Sequence, residues 1–375
     1  MGQTQSPVGS SVTARRARPG GLREAPDDAS MTDRQTEMDM DSMGSRVRGA
    51  LAGTLVWDNH GCMPLRPADE RFLPQLERYR RSGMRIVGLN VGFDAVPWEQ
   101  TVQMLAAFRH WVRRHPRRYR LAETAADLSS KDRRLAVFFD IEGGSALDGQ
   151  LTLVELYRDL GVRWMSIAYN RNNLLGGGCQ DTDRGLTKFG RAVVTEMERV
   201  GMTPCCSHTG HRTTMDVMRH ATKPVIFSHS NPLALWKHKR NIRDEAIRAC
   251  AGTGGVVGIN GIGMFLGAND NRSSTVARHI DHVVQQVGID HVGIGLDYVF
   301  DMQELDDYIT AHPSVFPPEE GYAAGLRLVA PEQMREIAGE LLRLGYRTAD
   351  VRKVMGGNLL RIAKATWPRG SVAGD

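Results

Sequence analysis

The chain has 375 residues, 41% of them hydrophobic, which suits one large domain or two small ones with a substantial core. Its net charge is +5, but the basic side chains are spread along the whole chain. The densest basic run, 113–118, is typical of a solvated helix end, so we expect no nucleic-acid partner. The five cysteines lack the spacing of a disulfide scaffold, and no run approaches the ~18 apolar residues of a membrane span.

The amino-terminal segment differs from the rest of the chain. Residues 1–48 are rich in Ser, Arg, Gly, Asp and Met and show no apolar periodicity, so we predict a disordered tail there. We predict a single domain over residues 49–367 and a second short tail over 368–375. Because residues 1–48 lack the apolar stretch of a secretory signal, the sequence predicts a cytoplasmic protein without a membrane partner.

Eight short apolar runs follow the tail, and most end in residues of metal-ligand type. The runs are Thr54–Trp57, Arg85–Leu89, Leu135–Phe139, Arg163–Ala168, Met202–Cys206, Pro224–Phe227, Gly255–Ile259 and His291–Leu296. Segments with helical period lie between them or after them, at Asp69–Arg81, Trp98–His115, Gly185–Val200, Ile242–Cys250, Val276–Val287 and, as two helices, within Pro331–Trp367. This alternation predicts a parallel sheet covered by helices.

Two architectures share that alternation, the open doubly wound sheet and the closed barrel. The ligand-type residues are scattered over most strand ends rather than gathered at one switch point, and there are eight strand–helix units. Both observations favour an α/β fold of the TIM-type (β/α)8 barrel.

Candidate metal ligands stand at the ends of five predicted strands. His60 follows the first strand, Glu142 the third, His208 the fifth, His229 the sixth and Asp297 the eighth. Each of them alone also fits a structural role, as a loop side chain or a member of a buried ion pair. Adjacent parallel strands lie ~4.8 Å apart, so imidazoles on neighbouring strands can reach one metal ion. Together the five residues predict the metal site of a hydrolase at one mouth of the barrel.

Several short motifs follow one another in a fixed order over about residues 50–366, and the most specific of them is Pro-Val-Ile-Phe-Ser-His-Ser at 224–230. The other motifs are Asp58-Asn59-His60, Ile141-Glu142-Gly143-Gly144, Ser207-His208, Arg240-Asn241, Gly293-Ile294-Gly295-Leu296-Asp297 and Gly357-Asn358-Leu359-Leu360-Arg361. In motif content and order, the chain resembles the membrane (renal) dipeptidases, a family of zinc-dependent dipeptidases.

The resemblance implies a site with two zinc ions per chain. His60 would bind the first ion, Glu142 would bridge both ions, and His208 and His229 would bind the second. The implied reaction is hydrolysis of a dipeptide by a hydroxide that the two ions share. A homodimer is also implied, although the sequence gives no independent sign of an interface.

The resemblance further implies that Arg240 holds the substrate's carboxylate and that Asp297 transfers the proton. Two positions depart from the family's pattern. Cys62 stands where the family has an aspartate ligand, and we expect it to complete the first site because thiolate also binds zinc. Tyr169 stands where the family has a histidine near the scissile bond, and its phenol can donate one hydrogen bond to the substrate or to a developing oxyanion.

These departures leave two alternatives open. The chain could be a metallohydrolase of another substrate, such as a cyclic amide, a lactone or a β-lactam; a neutral ring would not need Arg240. It could also be a dipeptidase-like binding protein whose catalysis is weakened by Cys62 and Tyr169. Bound metal would separate this second alternative from an enzyme.

Overall fold

The computed structural model describes residues 42–368. The predicted tails lie outside the described residues over 1–41 and 369–375. Residues 42–51 form a helix, α1, which therefore begins inside the segment predicted to be a tail. Arg352 donates hydrogen bonds to the carbonyl oxygens of Gly49 and Ala50 in this helix. Such long-range contacts stabilise the helix, and the local composition does not reveal them.

A ten-stranded sheet forms the centre of the molecule, and all of its strand pairs are parallel. Eight strands follow one another around it in chain order: β1 Trp57–Cys62, β2 Ile86–Phe93, β3 Leu135–Glu142, β4 Val162–Ser166, β5 Thr203–Cys205, β6 Ile226–Phe227, β7 Val256–Ile259 and β8 Val292–Ile294. The short strand Tyr119–Leu121 pairs with β3 only. Tyr298–Val299, just after β8, pairs with β1 and closes the barrel, as predicted.

Helices cover the barrel. They are α2 Leu76–Ser82, α3 Trp98–Arg114, α4 Leu153–Asp159, α5 Lys188–Val200, α6 His211–His220, α7 Asp244–Gly252, α8 Gly263–Leu266, α9 Ser273–Val287, α10 Met302–Ala311, α11 Met334–Arg343, α12 Thr348–Arg352 and α13 Asn358–Thr366. The predicted helices are present with shifted ends, whereas α4, α6, α8 and α10 were not predicted. Within residues 42–368, no helix combines the length and the apolar character needed to cross a membrane.

Strands β1 and β3 continue further than the apolar runs that predicted them. β1 extends to Cys62 and β3 to Glu142, so the polar residues expected after these strands lie on them. β1 carries a bulge between Asp58 and Gly61, and beyond the bulge His60 and Cys62 point toward the same site. On β3, side-chain alternation places Asp140 and Glu142 on one face, and Asp140 contacts His60.

The two ends of the barrel differ in character. At the amino-terminal end, Ile362 and Trp367 pack into one cluster with Trp57 and Phe138, and the rings of Trp57 and Trp367 are 5.6 Å apart. The predicted covering of the sheet by helices does not extend to α13, which packs against the interior of the barrel at this end. The carboxyl-terminal end of the barrel is left for polar side chains.

A long segment after β8, residues 300–328, lies over that carboxyl-terminal end, and we call it the cap. The cap contains α10, and it shares a second apolar cluster with residues 262–265. Polar contacts tie it to loops on two sides of the barrel, because Arg66 pairs with Asp301 at 3.0 Å and Arg171 donates to the carbonyl oxygen of Ser314. The cap therefore lies beside any ligand that binds at the carboxyl-terminal end of the barrel.

Candidate metal centre

Three side chains bring ligand-type atoms together at the carboxyl end of the barrel, and we call them the second cluster. Glu142 Oε1 lies 2.9 Å from His208 Nε2 and 3.1 Å from His229 Nε2, and the two nitrogens are 2.9 Å apart. Glu142 Oε1 has no aligned hydrogen-bond donor among the residues that the structure describes. A buried carboxylate oxygen of this kind is costly unless a cation satisfies it. The second cluster therefore fits a metal ion.

A first cluster lies beside it and shares Glu142. His60 Nε2 is 3.7 Å from Glu142 Oε2, 3.4 Å from Cys62 Sγ and 3.5 Å from Asp297 Oδ1. Cys62 Sγ and Asp297 Oδ1 are 3.3 Å apart. Each oxygen of Glu142 thus faces a different cluster, as a carboxylate that bridges two cations must. The family resemblance implies proton transfer for Asp297, and its place in the first cluster also suits the ligand role that its strand-end position suggests.

Neighbouring side chains orient the metal-facing groups of the first cluster. His60 Nδ1 pairs with Asp140 Oδ1 at 3.1 Å, which directs Nε2 toward the cluster. Asn90 donates from Nδ2 to Asp140 Oδ1 at 3.1 Å and to Glu142 Oε2 at 3.3 Å. Carboxylate partners of this kind fix the ring of a metal-binding histidine and raise its affinity for the metal.

The second cluster has the same kind of support. His208 Nδ1 is 2.8 Å from Asn170 Oδ1, and His229 Nδ1 is 2.8 Å from Ser228 Oγ. The ring of Tyr169 stacks on that of His208 with centroids 4.2 Å apart. With each Nδ1–H donated to its oxygen partner, each Nε2 keeps a lone pair for a cation.

Burial and neighbouring charges set the protonation of these groups. Burial lowers the pKa of His208 and of His229 well below the usual value, with Arg240 adding to the effect at His208 and His60 at His229. Burial alone would raise the pKa of Glu142, but His60 and His208 outweigh it and lower that pKa. The second cluster therefore presents neutral imidazoles and a carboxylate, which is the state that binds a metal.

In the first cluster, burial raises the pKa of the Cys62 thiol. Burial disfavours a charged His60, but Asp140 and then Cys62 and Glu142 outweigh it and raise the pKa of His60 well above its usual value. A bound cation reverses both tendencies, because it favours the thiolate and the neutral imidazole. Metal binding at the first cluster is therefore expected to release protons.

A cavity of about 250 Å³ opens onto the two clusters. Cys62, Glu142, His208 and Asp297 line it, whereas His60 and His229 are fully buried. The cavity therefore gives a substrate access to both clusters.

Two further side chains that line the cavity can contact a substrate. Arg240 is buried, with Nη2 3.0 Å from His208 Nε2 and 3.3 Å from the carbonyl oxygen of His229. Burial raises the pKa of Tyr169 well above its usual value, so the phenol keeps its proton. The cavity thus offers a cationic fork and a neutral hydrogen-bond donor beside the clusters.

Backbone strain is concentrated at this end of the barrel. Asn170, His208 and Asp297 adopt positive φ angles of 60°, 65° and 57°. Residues other than glycine rarely adopt this backbone conformation. Each such residue costs about 1–3 kcal/mol and persists only where the surrounding fold imposes it. All three belong to the clusters or contact them, so the strain accompanies the placement of these side chains.

The structure brings together every site residue that the sequence predicted: His60, Cys62, Glu142, Tyr169, His208, His229, Arg240 and Asp297. His211 begins α6 and pairs with Glu245 at 3.3 Å. Sequence reasoning gave no role to Asn90, Asn170 or Ser228. Asn90 and Asn170 come directly or shortly after apolar runs, as the predicted site residues do, and this position could have indicated that they lie at the site.

The chain matches the model of the membrane dipeptidase family, peptidase family M19, over residues 72–312. It belongs to this family. An uncharacterized protein from the pqqA 5′ region of Klebsiella pneumoniae is 32% identical to this peptidase M19 member over 280 residues, which is 71% of this chain and 95% of the relative. The resemblance seen in the sequence motifs is confirmed.

Two solved structures are similar to this chain in fold. An amidohydrolase from Pseudomonas aeruginosa is 27% identical, with a TM-score of 0.75 over 86% of this chain and 99% of that chain. A metallopeptidase from Rhodobacter sphaeroides, bound to a phosphinate mimic of the dipeptide L-Ala-D-Ala, is 22% identical, with a TM-score of 0.67 over 84% of this chain and 100% of that chain. The second likeness concerns the fold alone.

Proposed function

We propose that this M19 family member is a dipeptidase that holds two zinc ions, one at each cluster. The observation that carries the proposal is the position of Glu142, whose two oxygens face two separate groups of ligand-type atoms. His60 and Cys62 would hold the first ion together with Asp297, and His208 and His229 the second. Imidazole nitrogen and thiolate sulfur are ligands that suit zinc better than magnesium or calcium.

Arg240 limits the substrate to a short peptide with a free carboxylate. Its planar guanidinium can hold a carboxylate through two parallel hydrogen bonds. Because Nη2 lies 3.0 Å from His208 Nε2, a carboxylate bound there stands only a short distance from the clusters. One residue fits between the carboxylate and the scissile bond, which selects dipeptides. A neutral lactone or lactam ring has no carboxylate for Arg240 to bind, so the buried guanidinium favours a dipeptide over such substrates.

In this proposal Tyr169 and Asp297 act on the peptide bond. When bound, the two ions would supply a water activated at neutral pH and would polarise the carbonyl group. The protonated phenol of Tyr169, a half-buried side chain, donates a hydrogen bond to the carbonyl oxygen as negative charge develops there. Asp297, whose Oδ2 accepts a hydrogen bond from Asn260 Nδ2 at 2.8 Å, takes the proton of the attacking water and returns it to the leaving amine.

Metal analysis and a dipeptide assay test this proposal. Purified protein should contain about two zinc ions per chain and hydrolyse members of a panel of L,L and L,D dipeptides, with activity lost on chelation and restored by zinc. His229→Ala should lose both the second ion and turnover. His110→Ala, which removes an exposed histidine of α3, is the matched control and should retain both.

Two results would contradict the proposal. A chain that holds two zinc ions but cleaves no dipeptide would favour the binding-protein alternative. Full activity in His229→Ala would remove that residue from the site. A cytoplasmic location and a homodimer remain predictions from the sequence.

A further inference from the structure

Five aromatic rings form a continuous belt along the cavity. Neighbouring ring centroids are 5.8 Å apart for Phe93 and Tyr308, 5.7 Å for Tyr308 and Phe316, 5.3 Å for Phe316 and Tyr322, and 6.2 Å for Tyr322 and Phe265. All five line the cavity, and three of them belong to the cap. The catalytic roles proposed above do not use this aromatic belt.

The two ends of the aromatic belt lie on opposite sides of the barrel. At one end, the guanidinium of Arg240 lies 5.4 Å from the ring of Phe265. At the other end, Phe93 is the last residue of β2 and faces Tyr308 of α10. Arg240 follows β6, and the second and sixth strands of an eight-stranded barrel are diametrically opposite. Phe93 and Tyr308 therefore lie across the cavity from Arg240. Tyr169 joins Phe93 to the second cluster, because its ring centroid is 4.9 Å from that of Phe93 and 4.2 Å from that of His208.

The remaining lining near Phe93 and Tyr308 is mostly apolar. Loops after β1 and β2 and helix α10 contribute to the cavity Met63, Leu65, Val96 and Leu305. The acid on this side, Glu304, is paired with Arg66 at 3.0 Å and is not free to hold a cationic side chain. We call this end, formed by Phe93, Tyr308 and these apolar residues, the apolar subsite.

We infer that the preferred substrates are dipeptides whose amino-terminal residue has a bulky apolar side chain, such as Phe or Leu, and that this side chain occupies the apolar subsite. The inference rests on the proposed function, because it takes Arg240 as the anchor of the carboxylate. With the carboxylate at Arg240 and the peptide bond at the clusters, the amino-terminal residue extends toward Phe93 and Tyr308. Burying an aromatic side chain there should raise kcat/KM by about 10- to 100-fold.

Four dipeptides and two variants, one of them a control, test the inference with the zinc-loaded protein. Phe-Ala should exceed Gly-Ala in kcat/KM by about 10- to 100-fold, and Asp-Ala should be the poorest because its carboxylate would enter an apolar site. Tyr308→Ala should reduce the ratio of Phe-Ala to Gly-Ala by about 10-fold and should affect Ala-Phe less. Leu174→Ala removes an exposed apolar side chain outside the cavity, and it should leave the ratio unchanged.

Binding measurements separate a failure of the inference from a failure of the proposed function. Phosphinate analogues of Phe-Ala and Gly-Ala report on the subsite without turnover, and calorimetry of the wild-type protein should show tighter binding of the Phe-Ala analogue by at least about 10-fold. That preference without hydrolysis of any dipeptide would uphold the subsite and reject the enzyme. Equal binding of the two analogues, or equal kcat/KM for Phe-Ala and Gly-Ala, would overturn the inference while leaving dipeptide hydrolysis in place.

Discussion

Ser228 offers a selective way to weaken one metal site without touching a ligand. Its Oγ lies 2.8 Å from His229 Nδ1 and also contacts Ser207 Oγ at 3.2 Å, in a fully buried network. When Nε2 of His229 faces the metal, Nδ1 carries the hydrogen and donates it to Ser228. Ser228→Ala removes the acceptor and changes little else in volume. We expect this variant to weaken the second zinc ion only.

The size of the effect follows from the loss of one buried hydrogen bond. A donor left unsatisfied in a buried site costs about 1–3 kcal/mol, which corresponds to about 5- to 150-fold in a dissociation constant. Loss of a hydrogen-bond partner behind a metal ligand typically costs about 10- to 100-fold in metal affinity. The two ranges overlap, so we expect about a 10- to 100-fold rise in the dissociation constant of the second ion. Ser228 makes no contact with His60 or Cys62, so the first ion should retain its affinity.

Competition with a chromophoric chelator resolves the two zinc affinities. Ser166→Ala is a suitable control because Ser166 is equally buried, on β4, and its hydroxyl makes only a 3.4 Å contact with the carbonyl oxygen of Ala168. Its two affinities should match those of the wild type. The reasoning is refuted if Ser228→Ala binds both ions as tightly as wild type, or if it weakens both ions equally.

The substrate contacts give two more predictions. Arg240→Ala should raise KM for dipeptides by about 10- to 100-fold with a smaller change in kcat, because the guanidinium binds the carboxylate in both ground and transition states; steady-state kinetics with an unchanged KM would remove Arg240 from the substrate site. Tyr169→Phe should lower kcat by about 10- to 100-fold and leave KM near the wild-type value, since the phenol acts on charge that develops in the transition state. A KM effect alone would make Tyr169 a binding residue.

The fold and the main site residues were accessible from the sequence for a simple physical reason. Parallel strands buried on both faces read as apolar runs, and a barrel collects the residues at their carboxyl ends in one place. His208 and His229, far apart in sequence but at the ends of β5 and β6, were therefore predicted to meet, and their Nε2 atoms are 2.9 Å apart. Because the eight strands follow one another around the barrel in chain order, β5 and β6 are neighbours, and the sequence alone predicts that their terminal residues lie close together.

The supporting residues and the cap were not accessible in the same way. Ser228 and Asn170 act through single hydrogen bonds whose partners are fixed by strand register and by the positive φ of Asn170, which apolar periodicity does not encode. The apolar residues of α10 face a ligand cavity instead of the barrel core. The amphipathic pattern of a helix does not show which surface its apolar face contacts. The role proposed for Tyr308 depends on its long-range packing against Phe93, a contact that the sequence pattern does not encode.

Cys62 tests whether the departure from the family's aspartate changes the choice of metal. Its sulfur is 3.4 Å from His60 Nε2 and 3.3 Å from Asp297 Oδ1, within the first cluster, so loss of the thiol in Cys62→Ala should reduce the zinc content from about two ions per chain to about one. Cys62→Asp should keep two ions, because a carboxylate also binds zinc. Thiolate selects soft metals and carboxylate accepts harder ones, so Cys62→Asp should also lower the preference of the first site for Zn²⁺ over Mn²⁺.

Elemental analysis after dialysis against mixed zinc and manganese measures this preference directly. An unchanged ratio of bound Zn²⁺ to Mn²⁺ in Cys62→Asp, together with full zinc content in Cys62→Ala, would show that the thiol lies beside the first ion without binding it. Asp297, whose Oδ1 is 3.5 Å from His60 Nε2, would then be the remaining acidic ligand of that ion. A carboxylate that is coordinated in this way is less free to carry a proton, so the same experiment also decides how far Asp297 can serve as the proton acceptor.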